Sequence, residues 1–156
     1  MLITGVENVY FRTPGSSAYV PGGEIETDSL YMILSLDYEY YTDASFPTDL
    51  FSTGLYAFSC DVPVANHLTD LSVTSNNTFN GIPAGSVLND KLVTLTGGTI
   101  VDLLEDLQGQ GMYGLYSPLE FLWTEKPTES DHTFEFLLTD NAGNTFSATS
   151  APIIWK

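Results

Sequence analysis

Residues 134–150 read FEFLLTDNAGNTFSATS, and at their centre Asp140-Asn141-Ala142-Gly143-Asn144 opens either a calcium loop or a tight bend between two strands. A calcium loop of the common kind needs oxygen ligands at alternate positions, a glycine at the sixth and a bidentate glutamate at the twelfth. Counted from Asp140, the alternate positions hold Ala142, Asn144 and Phe146, while Gly143 is fourth and Ala151 twelfth, so the ligand set does not assemble. The bend fits position by position. Asp140 stands at the first corner of a type I turn, Asn141 and Ala142 fill the middle, and Gly143 takes the left-handed conformation that makes a bulge. Pairing Asp140 with Asn144 then sets Leu138 opposite Phe146, Phe136 opposite Ala148 and Phe134 opposite Ser150. Thr133, Glu135, Thr139, Thr145, Ser147 and Thr149 share the other face, with Leu137 the apolar exception. The segment reads as a structural hairpin.

Working outward, the strongest alternation lies at Leu30-Tyr31-Met32-Ile33-Leu34-Ser35-Leu36-Asp37-Tyr38-Glu39-Tyr40-Tyr41. Met32, Leu34, Leu36, Tyr38 and Tyr40 face one way and Tyr31, Ser35, Asp37 and Glu39 the other, as in a long strand with one buried and one wet face. A short strand at Glu7 to Arg12 precedes it across a Pro, Gly and Ser-rich loop within residues 1–29. Further strands are expected at Leu55 to Cys60, Asp70 to Ser75, Lys91 to Thr96, Leu119 to Thr124, His132 to Thr139 and Asn144 to Ile154. Turn formers separate them at the spacing of an all-β sandwich. One segment departs. Thr99 to Gln108 puts Ile100, Leu103, Leu104 and Leu107 on one helical face, opens with Thr99 three residues before Asp102, and is followed by Gly109. This is a short helix near 99–108, and Gly109 to Gly114 reads as a connector.

The chain has 156 residues, the size of one domain, and its 43% hydrophobic and 13% aromatic content is enough to offset the entropy of ordering it. No apolar run approaches the roughly 20 residues that cross a bilayer. Twenty acidic residues against Arg12, Lys91, Lys126 and Lys156 leave a net charge of −16. Nucleic acid binding draws on clustered Lys and Arg that displace condensed cations, so no nucleic acid partner is expected of a polyanion of this kind, and anionic membranes are disfavoured nearly as strongly. A single cysteine, Cys60, rules out an internal disulfide and a Cys-rich zinc site; between Phe58 and Asp61, with nothing basic beside it, it reads as a small buried side chain.

The search for chemistry finds little that converges. His67 and His132 stand at strand entrances, in neither an HExxH nor a paired-His spacing. Ser130-Asp131-His132 holds the residue types of a hydrolytic triad, yet neighbours on an extended chain point to opposite faces, and no GxSxG elbow is present. Asp102, Glu105 and Asp106 fit the solvated side of the helix. Asp37 and Glu39 share a strand face, where hydration alone suffices for them, although paired carboxylates are what glycoside hydrolysis requires. Tyr31, Tyr41, Tyr113, Tyr116 and Trp123 are candidates for stacking on sugar rings, while alternation places Trp123 in the core with Leu119 and Phe121. No catalytic, cofactor-binding or metal-ligating residue is assigned, and no cofactor is expected.

Tyr56-Ala57-Phe58-Ser59-Cys60-Asp61-Val62-Pro63, Ser75-Asn76-Asn77-Thr78-Phe79-Asn80, Pro83 to Asp90 and the closing hairpin together resemble a family of uncharacterised Bacteroidetes lipoproteins over roughly residues 30–156. The resemblance implies an extracytoplasmic, immunoglobulin-like sandwich of unknown function, in the periplasm or at the outer-membrane surface. It also implies a lipid-attachment cysteine at the mature start, a role internal Cys60 does not fit. Met1 to Gly5 offers no basic start or export-type apolar stretch. The expectation is therefore either a cytoplasmic chain or one whose leader lies outside these residues. The reading as a whole is a mainly β chain, a two-layer antiparallel β-sandwich over 1–156 with one short helix. It is expected to be a non-enzymatic module for binding, adhesion or scaffolding to a protein or glycan at the cell surface, or alternatively a carbohydrate-binding domain using exposed Tyr and Trp.

Overall fold

The computed structural model describes residues 2–39, 66–109 and 118–156. The expected strand at Leu55 to Cys60, with Cys60 itself, Tyr41, Tyr113, Tyr116 and most of the 109–114 connector, lies outside them. The described residues are mainly β, as expected, with one α-helix.

The strands are β1 (Leu2–Arg12), β2 (Gly23–Ile25), β3 (Leu30–Glu39), β4 (Leu68–Ser75), β5 (Leu92–Thr94), β6 (Leu119–Trp123), β7 (Asp131–His132), β8 (Phe134–Asp140), β9 (Thr145–Thr149) and β10 (Ile153–Trp155); helix α1 spans Ile100–Gly109. They form a four-stranded sheet in the order β1-β3-β6-β5 and two three-stranded sheets, β2-β10-β7 and β4-β8-β9. The expectation of two antiparallel layers is thus met only in part: there are three sheets, and β10 runs parallel to β2.

The third sheet arises where two expected strands break. Asn144 to Ile154 divides because Pro152 has no N–H for a ladder, and Ser150 turns the chain by accepting from Phe134 N at 3.0 Å and donating to the Ala151 carbonyl at 2.9 Å. His132 to Thr139 divides at Thr133, whose N–H bonds the Asn76 side chain at 2.7 Å. The pieces left over, β7 and β10, pair with each other. The first strand also begins earlier than expected, at Leu2, with irregular register between Ile3 and Gly5 and between Val6 and Asn8.

One hydrophobic cluster joins all three sheets to the helix, drawing Phe11 and Leu34 from the large sheet, Val73 and Phe136 from β4-β8-β9, Ile153 and Trp155 from β10, and Leu104 from α1. Trp123 is its centre, stacked between Phe79 (4.8 Å) and Phe134 (5.1 Å). The helix forms where its leucine stripe and cap predict: Thr99 N and Oγ1 both donate to Asp102 Oδ2 while Asp102 N donates back to Thr99 Oγ1. Ile100, Leu104 and Leu107 are buried, as helical periodicity requires.

The wet face of β3 is drier than its alternation predicts. Asp37 and Glu39 are exposed, but Ile33 is fully buried and Tyr31 half-buried. The register sets Tyr10 and Glu120 on either side of Ile33. Arg12 bonds Glu120 at 3.0 Å and lies 4.3 Å above the Tyr31 ring, so a stacked guanidinium takes the place of water.

Candidate functional site

Alternation along β4, β8 and β9 sends Leu71, Val73, Phe134, Phe136 and Leu138 into the core. The remaining side chains must point outward, and register lines them into rows across the sheet: Asp70, Thr139 and Thr145; Ser72, Leu137 and Ser147; Thr74, Glu135 and Thr149. The result is a face of hydroxyl groups with an apolar centre. Leu137, 47% exposed, sits in the middle. Ser72, Thr74, Glu135, Leu137, Ser147 and Thr149 line a shallow depression of about 460 Å³ on this face. Gly85 also lines it, and Val87 lies beside it, bridged to Thr74. Gly85 N donates to the Ser75 carbonyl and Leu88 N to the Val73 carbonyl, both at 2.8 Å, which carries the segment alongside β4 and leaves Val87 58% exposed. Gly85 makes this path with φ +76, a backbone region where a Cβ would be strained.

The other groups singled out by sequence have structural partners. Asp140 holds the hairpin: its carboxylate accepts from Asn66 Nδ2 at 2.7 Å, from Ala142 N at 2.9 Å, and from Asn144 N and Nδ2 at 2.8 Å. These donors, Asn66 first and Asn144 next, lower its pKa to about 2. Asn66 itself is buried, donating to the Ile3 carbonyl at 3.1 Å and accepting from Ile3 N at 2.7 Å, so one amide fastens β1 to the hairpin. The turn reading of 140–144 therefore stands.

His67 and His132 do not meet. The His67 backbone bonds Asn141, while His132 is fully buried among Phe79, Phe134 and Trp155. The serine that His132 contacts is Ser75 from β4, at 2.8 Å from Nδ1, rather than neighbouring Ser130. His132 Nε2 lies 3.0 Å from the Glu129 carbonyl, which can only accept. Nε2 therefore carries the proton, and Ser75 Oγ donates to Nδ1. A Ser–His bond of this length suits nucleophile activation, but both side chains are buried, and the group orienting the imidazole is a backbone carbonyl. Here the pair braces β4 against β7. Sequence spacing could not reveal it, since the partners lie 57 residues apart.

Of the acidic groups, Asp102 caps the helix, and its bonds from Thr99 lower its pKa. Among the described residues no group of His, Cys, Asp or Glu side chains is arranged to hold a metal ion. Trp123 is buried, as alternation predicts, and so cannot serve the expected sugar platform; nor can Trp155. All four basic side chains are engaged: Arg12 with Glu120, Lys91 with Glu125, Lys156 with Glu24, and Lys126 with the Lys156 carbonyl. No helix among the described residues is long and apolar enough to cross a membrane. No protein-family model, curated protein or solved structure matches the chain.

Proposed function

We propose that this chain is a non-enzymatic module for binding, adhesion or scaffolding at an extracytoplasmic surface, docking a protein or glycan on the outer face of the β4-β8-β9 sheet. In this reading the four-stranded sheet and the β4-β8-β9 sheet are the two layers of an immunoglobulin-like sandwich, and β2-β10-β7 is accessory to them. The resemblance to Bacteroidetes envelope lipoproteins supports that architecture and compartment.

The observation that carries the reading is Leu137, held half-exposed at the centre of a hydroxyl-lined depression on a chain of net charge −16. A net charge of −16 repels acidic partners, whereas Glu135 is the single charged side chain lining this depression. Ser and Thr hydroxyls both donate and accept, which suits peptide groups and sugar hydroxyls alike. Leu137 and Val87 add apolar contact. A carbohydrate ligand remains the second reading because of those hydroxyl rows. Exposed Tyr19 packs on Tyr10 of β1, in the four-stranded sheet, and is not among the residues lining this depression.

The test presents wild type and Leu137→Glu to a glycan array and a panel of purified surface proteins. Covering a leucine contributes about 1.5–3 kcal/mol, so a true ligand loses tenfold or more in affinity with the variant. A ligand that binds both equally refutes the site, and one converted to product refutes the non-enzymatic reading.

A further inference from the structure

The edges of the sheets are not alike. The outer edge of β4 is covered: Gly85 N and Leu88 N bond the Ser75 and Val73 carbonyls, and the Asn89 side chain bonds Val73 N at 3.0 Å and the Leu71 carbonyl at 2.7 Å. β1 is kinked by two register irregularities and carries exposed Glu7. β2 and β5 are three residues each, and β2 holds Glu24 in its ion pair with Lys156. These are the usual devices that keep strand edges from pairing with other chains. β9 carries none of them in its own sequence, and Leu2, Ile3 and Thr4 of β1 lie close beside its first residues without hydrogen-bonding to it. Its sequence, Thr145-Phe146-Ser147-Ala148-Thr149, contains no charge, proline or glycine, and among the described residues it pairs only with β8.

The direction of its free groups follows from the ladder. Asp140 N bonds the Asn144 carbonyl and Ser150 N the Phe134 carbonyl, so the even-numbered residues face β8. Alternation then aims the N–H and C=O of Thr145, Ser147 and Thr149 away from the sheet.

We propose that β9 is a self-pairing edge, joining antiparallel to β9 of a second copy of this chain about a two-fold axis at Ser147. The sequence is complementary to its own reverse. Thr145 meets Thr149 and Ser147 meets Ser147 on the hydroxyl face, a favourable cross-strand combination. On the inner face each half-buried Phe146 meets the second copy's Ala148, large against small. The gap of about 660 Å³ that Leu2, Ile3 and Thr4 leave beside Thr145 and Phe146 gives room for the second copy's small Ala148. Because each copy carries −16, association is confined to a neutral strip, and β9 supplies one. The surface is isologous, the arrangement that closes as a dimer instead of growing into fibres. It stands independently of any ligand on the outer face.

Sedimentation of the full chain over a concentration series tests this, with amide exchange read in parallel. The expected result is a monomer–dimer equilibrium in which the Thr145, Ser147 and Thr149 amides become protected as concentration rises. Ser147→Lys sets two ammonium groups against each other on the axis, and Ser147→Pro removes an outward N–H without touching the β8 ladder. Both variants should remain folded by circular dichroism and sediment as monomers. A wild type that is monomeric at every concentration overturns the proposal, as does a dimer that persists in both variants with those amides unprotected.

Discussion

His132 illustrates how far one residue's partners can lie from its sequence neighbours. Its burial lowers its pKa from the ordinary value of 6.5, and the hydrogen bond to the Glu129 carbonyl with the nearby Glu129 and Asp131 charges only partly offsets this. The unfolded chain therefore binds a proton here more readily than the fold does. The contribution to stability is full above pH 6.5 and is lost as pH falls below it toward the lowered folded value. Denaturant titrations between pH 8 and 5 should show declining stability, with a shallower decline in His132→Phe. The Asp140 carboxylate has the same proton balance, since its pKa is also lowered in the fold, but there the stabilised state is the charged one. With its pKa lowered to about 2, its contribution holds above the ordinary value of 3.8 and fails only as pH drops through about 2. It does not contribute to the decline near pH 6. Asn66→Ala leaves the buried Ile3 N–H without its 2.7 Å partner and should cost about 1–3 kcal/mol by chemical denaturation. At this scale the sequence was legible only where chemistry is local. Asp140 could be read as a turn residue because its acceptors' donors lie two and four positions away, whereas Asn66 and Ser75 act across 74 and 57 residues and left no periodic trace.

Elements were legible where two local signals agreed. In the hairpin, turn chemistry and alternation fixed the same register, and Phe136 opposite Ala148 and Leu138 opposite Phe146 are found as that register predicts. In α1, cap and leucine stripe marked the same boundaries. Strand ends were harder to read: the break at Thr133 depends on Asn76 far along the chain, and although Pro152 marks the break at 150–152 locally, the pairing of β10 with β2 and β7 beyond it depends on partners elsewhere. Tyr31 was misread by alternation for a similar reason, as its cover comes from Arg12 on the neighbouring strand. Gly143 allows the element-scale account to be tested cleanly. It has φ +83, and an added Cβ would meet no atom within 4 Å, so substitution probes backbone conformation alone. Gly143→Ala should destabilise the chain by about 1–2 kcal/mol, read as a lower denaturation midpoint with unchanged m-value. A neutral result would mean that the turn relaxes without cost.

For the whole molecule, composition disclosed the balance of charge but not its placement. The chain carries twenty acidic side chains, the core of the described residues is assembled from three sheets, and the four cations are each committed to a contact, three to a carboxylate and Lys126 to the Lys156 carbonyl. The excess negative charge is therefore not neutralised by a network within the fold. Each exposed carboxylate repels the others over distances comparable to the Debye length, about 10 Å at 0.1 M salt, and the folded state concentrates that repulsion more than an expanded chain does. Exposed ion pairs such as Lys91–Glu125 contribute little that salt can remove. Screening should then act mainly on repulsion, and raising sodium chloride from low to physiological strength should raise the thermal midpoint. Sodium chloride and sodium perchlorate at matched low ionic strength should give equal increments if screening is responsible, since the effect depends on ionic strength and not on the anion. A midpoint that falls with added salt would show that attractive pairs outweigh repulsion across the surface.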